Sequence, residues 1–168
     1  TAQEFYAFHP DRVDALLLSA TSPAFGRPDG DFQKEFLRSR FEPLDNGLTM
    51  ADVAKASAAQ LVGPAPDDGA VDEIIDVMSS VSADAYRIAV RALTTFDQRA
   101  NLVNIAVPTL LIAGDSDKNA PAPMMEKMAS KIPEADYVEL SSTGHMAPIE
   151  NPAEFNRHLN RFLKKVAN

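Results

Sequence analysis

The chain has 168 residues, enough for one domain or for one core with an insertion, and its formal net charge is -8. Its 24 acidic against 16 basic residues, with no basic run, disfavour nucleic acid as a partner, and its lack of cysteine excludes disulfides, thiolate metal sites and cysteine nucleophiles. No apolar run reaches the roughly 18 residues that cross a bilayer, and the first residues lack a signal-peptide pattern, so we expect a soluble, cytoplasmic protein with no membrane partner.

The start of the chain predicts a helix that leads into a buried strand. Phe5 and Phe8 share one side of a helical stretch over residues 2–8, and Pro10 ends that stretch. The apolar run VDALLLSA, residues 13–20, has the length and composition of a buried strand.

Residues 21–96 predict a helical insertion, because amphipathic segments follow one another there with no strand between them. Thr49, with Asp52 three residues later, predicts a helix start of the capping-box type. The sequence GPAPDDG, residues 63–69, predicts a loop between two of these helices. Apolar residues have helical spacing at 32–37, 71–78 and 86–93.

After the insertion, strands and helices alternate again. Apolar strands are predicted at 109–113 and 137–140, and a helix over 123–132 lies between them. Asn151 is predicted to cap a last helix, residues 152–165. Strands separated by helices predict a parallel sheet that is covered on both faces, with active loops beyond the carboxyl ends of its strands.

Two of the loops that leave these strands carry chemically useful residues. AGDSDKNAP follows the strand that ends at Ala113 and contains Asp117, whereas SSTGHMAP follows the strand that ends near Leu140 and contains His145. If the two strands are neighbours, the Asp117 carboxylate can hold one imidazole nitrogen of His145, so that the other nitrogen acts as a base. The alternative is that His145 is a hydrogen-bonded loop residue with no catalytic role.

Three stretches of the sequence resemble the α/β-hydrolase family. VPTLLIAGDSDKNAP and YVELSSTGHMAPIENPAEFNRHLNRFL resemble its carboxyl-terminal third, and YAFHPDRVDALLLSAT resembles the helix and strand that follow its nucleophile. The resemblance implies an α/β fold with part of that family's parallel sheet, formed by core residues 1–20 and 97–168. It also makes the insertion, residues 21–96, the helical lid of the family.

The resemblance implies that Asp117 is the catalytic acid and that His145, in its Gly-His pair, is the base. Asp115 is the competing acid, although a side chain at its position is expected to brace the turn. A calcium loop from Asp115 to Glu126 is a further alternative, but Ala120 stands where such a loop needs glycine. An Asp-x-Asp phosphatase loop is no better supported. The resemblance implies no metal and no cofactor.

The nucleophile of such a triad is missing from this sequence. The family carries it as a serine on a Gly-x-Ser-x-Gly turn, and no serine of this chain stands between two such glycines. Because TAQEFYAF resembles the helix that begins at that turn, we expect the serine a few residues before Thr1. Its source would be the amino-terminal half of the same hydrolase, as a separate chain or a missing segment. The alternative is that Thr1 is itself the nucleophile, activated by its free amine.

The resemblance implies hydrolysis of a small ester or lactone through an acyl-enzyme, and the sequence looks closest to small bacterial lactonases, esterases and haloperoxidase-like proteins. Two alternatives stay open. One is a non-catalytic relative that binds a ligand under its lid, and the other is an epoxide or haloalkane hydrolase with an aspartate nucleophile. A three-stranded sheet with a free edge at residues 13–20 further predicts that the chain alone is poorly folded and inactive.

Overall fold

The computed structural model of the chain describes residues 1–26 and 30–167. Within them, three parallel strands form one sheet in the order β1-β2-β3, so the central strand is β2. This strand is buried along its whole length, as its unbroken apolar run predicts for a parallel strand covered on both faces. The elements in chain order are α1 (Ala2–Phe8), β1 (Leu16–Ser19), α2 (Asp31–Asp45), α3 (Met50–Ser57), α4 (Ala70–Ser79), α5 (Ala83–Thr94), β2 (Thr109–Gly114), α6 (Ala122–Ala129), β3 (Ala135–Leu140), α7 (Ala147–Glu150) and α8 (Pro152–Val166).

Two hydrophobic clusters cover the two faces of the sheet. Successive side chains of a strand point to opposite faces, so Leu111 joins the cluster that contains Met125 of α6. Its neighbour Ile112 joins the other cluster, with Phe155 and Phe162 of α8. Burying each of these large side chains stabilises the fold by roughly 1.5–3 kcal/mol relative to leaving it exposed.

The register of the sheet brings two loops to the same edge. Gly114, the last residue of β2, pairs with Leu140, the last residue of β3. The next amide, that of Asp115, donates to the carbonyl of Leu140 at 3.0 Å. The loops that carry Asp117 and His145 therefore leave the sheet side by side.

The chain divides into two compact units. Unit 1 contains Thr1–Pro23, Leu61–Asp68 and Gln98–Asn168, and unit 2 contains Ala24–Gln60 and Gly69–Asp97. The sequence predicted one unbroken insertion over 21–96, whereas Leu61–Asp68 has its contacts within unit 1. The physical reason is that the backbone groups of this loop bond there. The Leu61 carbonyl accepts from the His145 amide at 2.7 Å, and the Asp67 amide donates to the Glu150 carbonyl at 2.8 Å.

Unit 2 consists of helices and one isolated antiparallel bridge, between Ala24 and Asp97, as far as the structure describes it. Helix α3 packs on α4, and α2 packs on α5. The predicted capping box at the start of α3 is present, because the Thr49 amide donates to Asp52 at 2.8 Å and the Asp52 amide donates back to the Thr49 hydroxyl at 3.2 Å. None of the helices in the described ranges combines the length and apolarity that a bilayer crossing needs.

Two predicted elements extend further along the chain than those observed. The strand predicted over 13–20 is β1, four residues long, because a 3-10 turn ends at Arg12 and Ala20 adopts a positive φ of 44°. The helix predicted over 123–132 is α6, which ends at Ala129.

Candidate active site

The structure brings Asp117 and His145 together at the carboxyl edge of the sheet. His145 Nδ1 lies 2.8 Å from Asp117 Oδ2, the carboxylate is fully buried, and the imidazole is 30% exposed. A carboxylate can only accept, so Nδ1 must carry the proton of this hydrogen bond. In the neutral ring, the lone pair then lies on Nε2. This arrangement can serve as a base that is oriented by an acid.

Both oxygens of Asp117 are engaged. While Oδ2 faces His145, Oδ1 accepts from the backbone amides of Asn119 at 2.7 Å and Ala120 at 3.0 Å. Burial pushes the pKa of Asp117 upward, but the hydrogen bonds from His145 and from these amides outweigh it, so the pKa lies below its ordinary value. The carboxylate is therefore ionised and rigidly held when it meets the imidazole.

Asp115, the competing acid, has a different position. Its side chain is exposed and accepts from the Thr143 amide at 3.3 Å and from the Ser141 hydroxyl at 3.4 Å. The backbone of Ser142 is the main cause that lowers the pKa of Asp115. Asp115 thus braces the turn before His145, where Ser142 adopts a positive φ of 55°.

Glu150 is a site residue that the sequence reasoning missed. It is only 1% exposed, and its carboxylate accepts from three backbone amides, those of Gly63 at 2.6 Å, Gly144 at 2.9 Å and Met146 at 3.0 Å. The available signal was weak, because an acidic residue at the end of the short apolar stretch of α7 reads as a solvent-facing helix end. The amides it binds include one from a loop that is remote in sequence.

Close approach between loops explains the glycine that precedes His145. A Cβ on Gly144 would lie 2.5 Å from the carbonyl carbon of Val62 and 2.6 Å from the amide nitrogen of Gly63. Real Cβ atoms do not come this close to backbone, so any larger residue would push the two loops apart. Gly114 is restricted in the same way by the carbonyl oxygens of Thr143 and Gly144.

Asn151 occupies the predicted N-cap position of α8, but its side chain does not cap the helix. Asn151 makes no side-chain cap bond, and its ψ of 58° lies outside the extended range typical of cap residues. Its amide nitrogen Nδ2 instead donates to the Thr143 hydroxyl at 3.0 Å, which in turn donates to the Ser141 carbonyl at 2.9 Å. Asn151 therefore helps to hold the loop that carries His145.

The other residues considered from the sequence lie elsewhere. Thr1 is exposed at the start of α1, where its carbonyl accepts from the Phe5 amide at 2.8 Å. Within the described ranges, no group of three or more His, Asp or Glu side chains is arranged to hold a metal ion. The carboxylates of Asp115 and Asp117 face different partners.

Comparison with known proteins gives a match along nearly the whole chain. A sequence model described as the alpha/beta hydrolase family matches residues 1–158. Among curated proteins, the 3-oxoadipate enol-lactonase 1 of Acinetobacter baylyi is 30% identical over 100 residues, which are 60% of this chain and 37% of that protein. The pimeloyl-[acyl-carrier protein] methyl ester esterase of Klebsiella pneumoniae is 24% identical over 164 residues, 92% of this chain and 62% of the esterase.

A solved structure has the same fold. The thermophilic esterase of Thermogutta terrifontis superposes with a TM-score of 0.87 at 24% identity, and the match covers 99% of this chain and 61% of the esterase. The chain thus spans less than two thirds of the length of each of these relatives.

Proposed function

This chain belongs to the alpha/beta hydrolase family, and from that membership we propose that the protein hydrolyses small esters or lactones with Asp117 and His145 as the acid and base of a Ser-His-Asp triad. The proposal is supported by the names of similar proteins, which are an enol-lactonase and two esterases. The observation that carries it is the 2.8 Å contact between His145 Nδ1 and Asp117 Oδ2, at the ends of two adjacent parallel strands.

The serine is proposed to come from polypeptide other than these residues, because no Gly-x-Ser-x-Gly turn occurs among them. An amino-terminal portion of the same hydrolase, continuous with Thr1 or held as a second chain, is the proposed partner. No cofactor takes part in the proposed reaction.

In the proposed mechanism, the serine oxygen attacks the carbonyl carbon of the ester while its proton moves to Nε2 of His145. The tetrahedral intermediate collapses, the bond to the leaving alkoxide breaks, and the imidazolium returns the proton to that alkoxide. Water then attacks the acyl-enzyme with His145 again as the base, which releases the acid and restores the serine. Throughout, the Asp117 carboxylate stabilises the imidazolium and fixes its orientation.

The test is to purify the hydrolase with its amino-terminal portion and mix it with excess p-nitrophenyl acetate in a stopped-flow instrument. We expect a burst of about one equivalent of nitrophenol, followed by slower turnover, because deacylation is a separate step. A covalent acetyl group should appear on the serine by mass spectrometry. Turnover without an acyl adduct on a serine would contradict the triad, and an adduct on an aspartate would favour the epoxide or haloalkane hydrolase alternative. Ligand binding without turnover would favour a non-catalytic relative.

We also propose that unit 2 acts as the lid that selects the substrate. Chain order supports this, because the insertion begins after the carboxyl end of β1, and the loops of Asp117 and His145 begin after the carboxyl ends of β2 and β3. Replacing residues 69–97 with the corresponding helices of a relative should change the ratio of kcat/KM between long-chain and short-chain esters. A chimera with an unchanged ratio would remove the lid from the proposal.

A further inference from the structure

We infer that Glu150 is a positioning residue for His145, and that it acts by fastening the catalytic loop to the remote segment 61–68. This inference rests on the proposed function, in which His145 is the base. It assigns a role to a buried carboxylate that the proposed reaction does not otherwise use. The hydrogen bonds of the Glu150 carboxylate come from backbone amides, so its effect on His145 would pass through the backbone.

The two oxygens of the Glu150 carboxylate accept from different backbone amides. Oε2 accepts from the amide of Gly63 at 2.6 Å and from that of Gly144 at 2.9 Å, while Oε1 accepts from the amide of Met146 at 3.0 Å. Hydrogen bonds to an ionised acceptor are stronger than neutral ones. Three hydrogen bonds satisfy this carboxylate, which is 1% exposed, as a buried polar group requires.

These bonds hold the backbone of His145 on both sides. The amides of Gly144 and Met146 flank it and bind Glu150, and the amide of His145 itself donates to the Leu61 carbonyl at 2.7 Å. Three successive amides are therefore fixed. With the ring bonded to Asp117, the histidine is anchored at its backbone and at its tip.

Glu150, the backbone of residues 144–146 and segment 61–68 together form a clamp around His145. In this segment, the Gly63 amide donates to the Glu150 carboxylate, and the Leu61 carbonyl accepts from the His145 amide. The Asp67 amide donates to the Glu150 carbonyl at 2.8 Å. A Cβ on Gly63 would lie 2.9 Å from the Gly144 amide nitrogen, so the close fit requires glycine there. Residues placed between α3 and α4 in the sequence thus hold the proposed catalytic base.

The substitution Glu150→Gln changes the hydrogen bonds of this side chain without changing its size. Glutamine has the same size, but its NH2 group would face either the Met146 amide or the amides of Gly63 and Gly144, a donor against donors. A shift of about 1 Å at the base can cost on the order of a hundredfold in rate. We therefore expect kcat of the assembled hydrolase to fall about a hundredfold, with KM changed less than about threefold.

The second readout is the proton NMR resonance of His145 Nδ1–H, which is shifted far downfield when Asp117 holds that proton. It should shift or broaden in Glu150→Gln. The matched control is Glu154→Gln, a surface residue of α8 that is 47% exposed and bonds to Arg157. Both kcat and the resonance should be unchanged in this control.

A folded Glu150→Gln enzyme with unchanged kcat or an unchanged resonance would overturn the inference. If that variant does not fold, Gly63→Ala gives the same two readouts, because its methyl group pushes the clamp open from the other side. Unchanged readouts there, or failure of both variants to fold, would also overturn it, since Glu150 would then serve folding alone. A wild-type protein with no esterase activity would defeat the proposed function, whereas the resonance would still test the positioning.

Discussion

The two units of the molecule differ in how deeply their acidic residues can be buried. In unit 1, Asp117 and Glu150 are buried, and their oxygens accept from backbone amides or from His145. In unit 2, the acidic side chains that the structure describes are exposed, and Glu35, Glu42 and Asp45 pair with arginine. Those pairs are Arg38 with Glu35 and Glu42, and Arg87 with Asp45.

Buried and exposed carboxylates therefore contribute differently to the structure. A buried carboxylate that binds several amides fixes the backbone, because leaving any partner unsatisfied is costly. An exposed pair gains little, since water and salt screen it and two long side chains lose freedom. Replacing the buried Asp117 or Glu150 should therefore change geometry and catalysis, whereas replacing the exposed charges of unit 2 should have small effects.

The largest expected effect is at the base. The variant His145→Ala should lower kcat of the assembled hydrolase on the order of a millionfold, because the serine then has no acceptor for its proton. Steady-state assay with p-nitrophenyl acetate measures this. Residual activity within about tenfold of wild type would show that His145 is not the base.

The next effect concerns hydrophobic packing, where a buried side chain of unit 1 is compared with an exposed one of unit 2. Leu111, in the centre of β2, is fully buried, and Leu111→Ala should lower the free energy of unfolding by about 2–5 kcal/mol. The matched variant in unit 2 is Ile88→Ala, at a side chain that is 68% exposed, with an expected change within about 0.5 kcal/mol. Urea unfolding followed by circular dichroism compares them. Similar losses for both would break the contrast between the units.

A smaller effect should appear as a pH dependence of stability. Because the folded state lowers the pKa of Asp117, its ionised form stabilises the fold at pH values above its ordinary pKa, and this contribution is lost as pH falls through the lowered value. Below about pH 4, the unfolding free energy of the wild type should therefore fall more steeply than that of Asp117→Asn. Asp115→Asn is the exposed control, with a weaker change of slope. Parallel curves for wild type and Asp117→Asn would refute the assignment of a lowered pKa.

The smallest effect is expected in unit 2. Arg38 pairs with Glu35 at 2.7 Å and with Glu42 at 2.9 Å, but its side chain is 62% exposed. The variant Arg38→Gln should leave the thermal midpoint unchanged within error, in low salt and in high salt. A clear loss of stability in low salt alone would show that these surface pairs matter more than the comparison allows.

Much of the fold followed from local patterns. The apolar run of β2 predicted a strand covered on both faces, because a parallel strand with apolar side chains on both sides is buried there. The loops of Asp117 and His145 could be predicted to meet, since carboxyl ends of parallel strands share one edge of a sheet. Each of these inferences needs only neighbouring residues and the rules of sheet topology.

The clamp around His145 did not follow from such patterns. A loop such as 61–68 satisfies its backbone with whatever groups lie beside it, and those groups belong to residues remote in sequence. Asparagine is a common cap residue, yet the Asn151 side chain bonds to Thr143, because the turn between α7 and α8 sets its backbone angles. Glu150 is visible as a site residue only when three amides converge on it.

The central claim is that the buried carboxylate, and not its exposed neighbour two residues earlier, holds the base. The most direct test measures kcat of Asp117→Asn and of Asp115→Asn in the same assembled hydrolase. We predict a loss of about ten thousandfold for Asp117→Asn, because asparagine cannot hold the imidazole in the required tautomer, and a loss below about tenfold for Asp115→Asn. A severe loss in Asp115→Asn together with a mild one in Asp117→Asn would contradict the account.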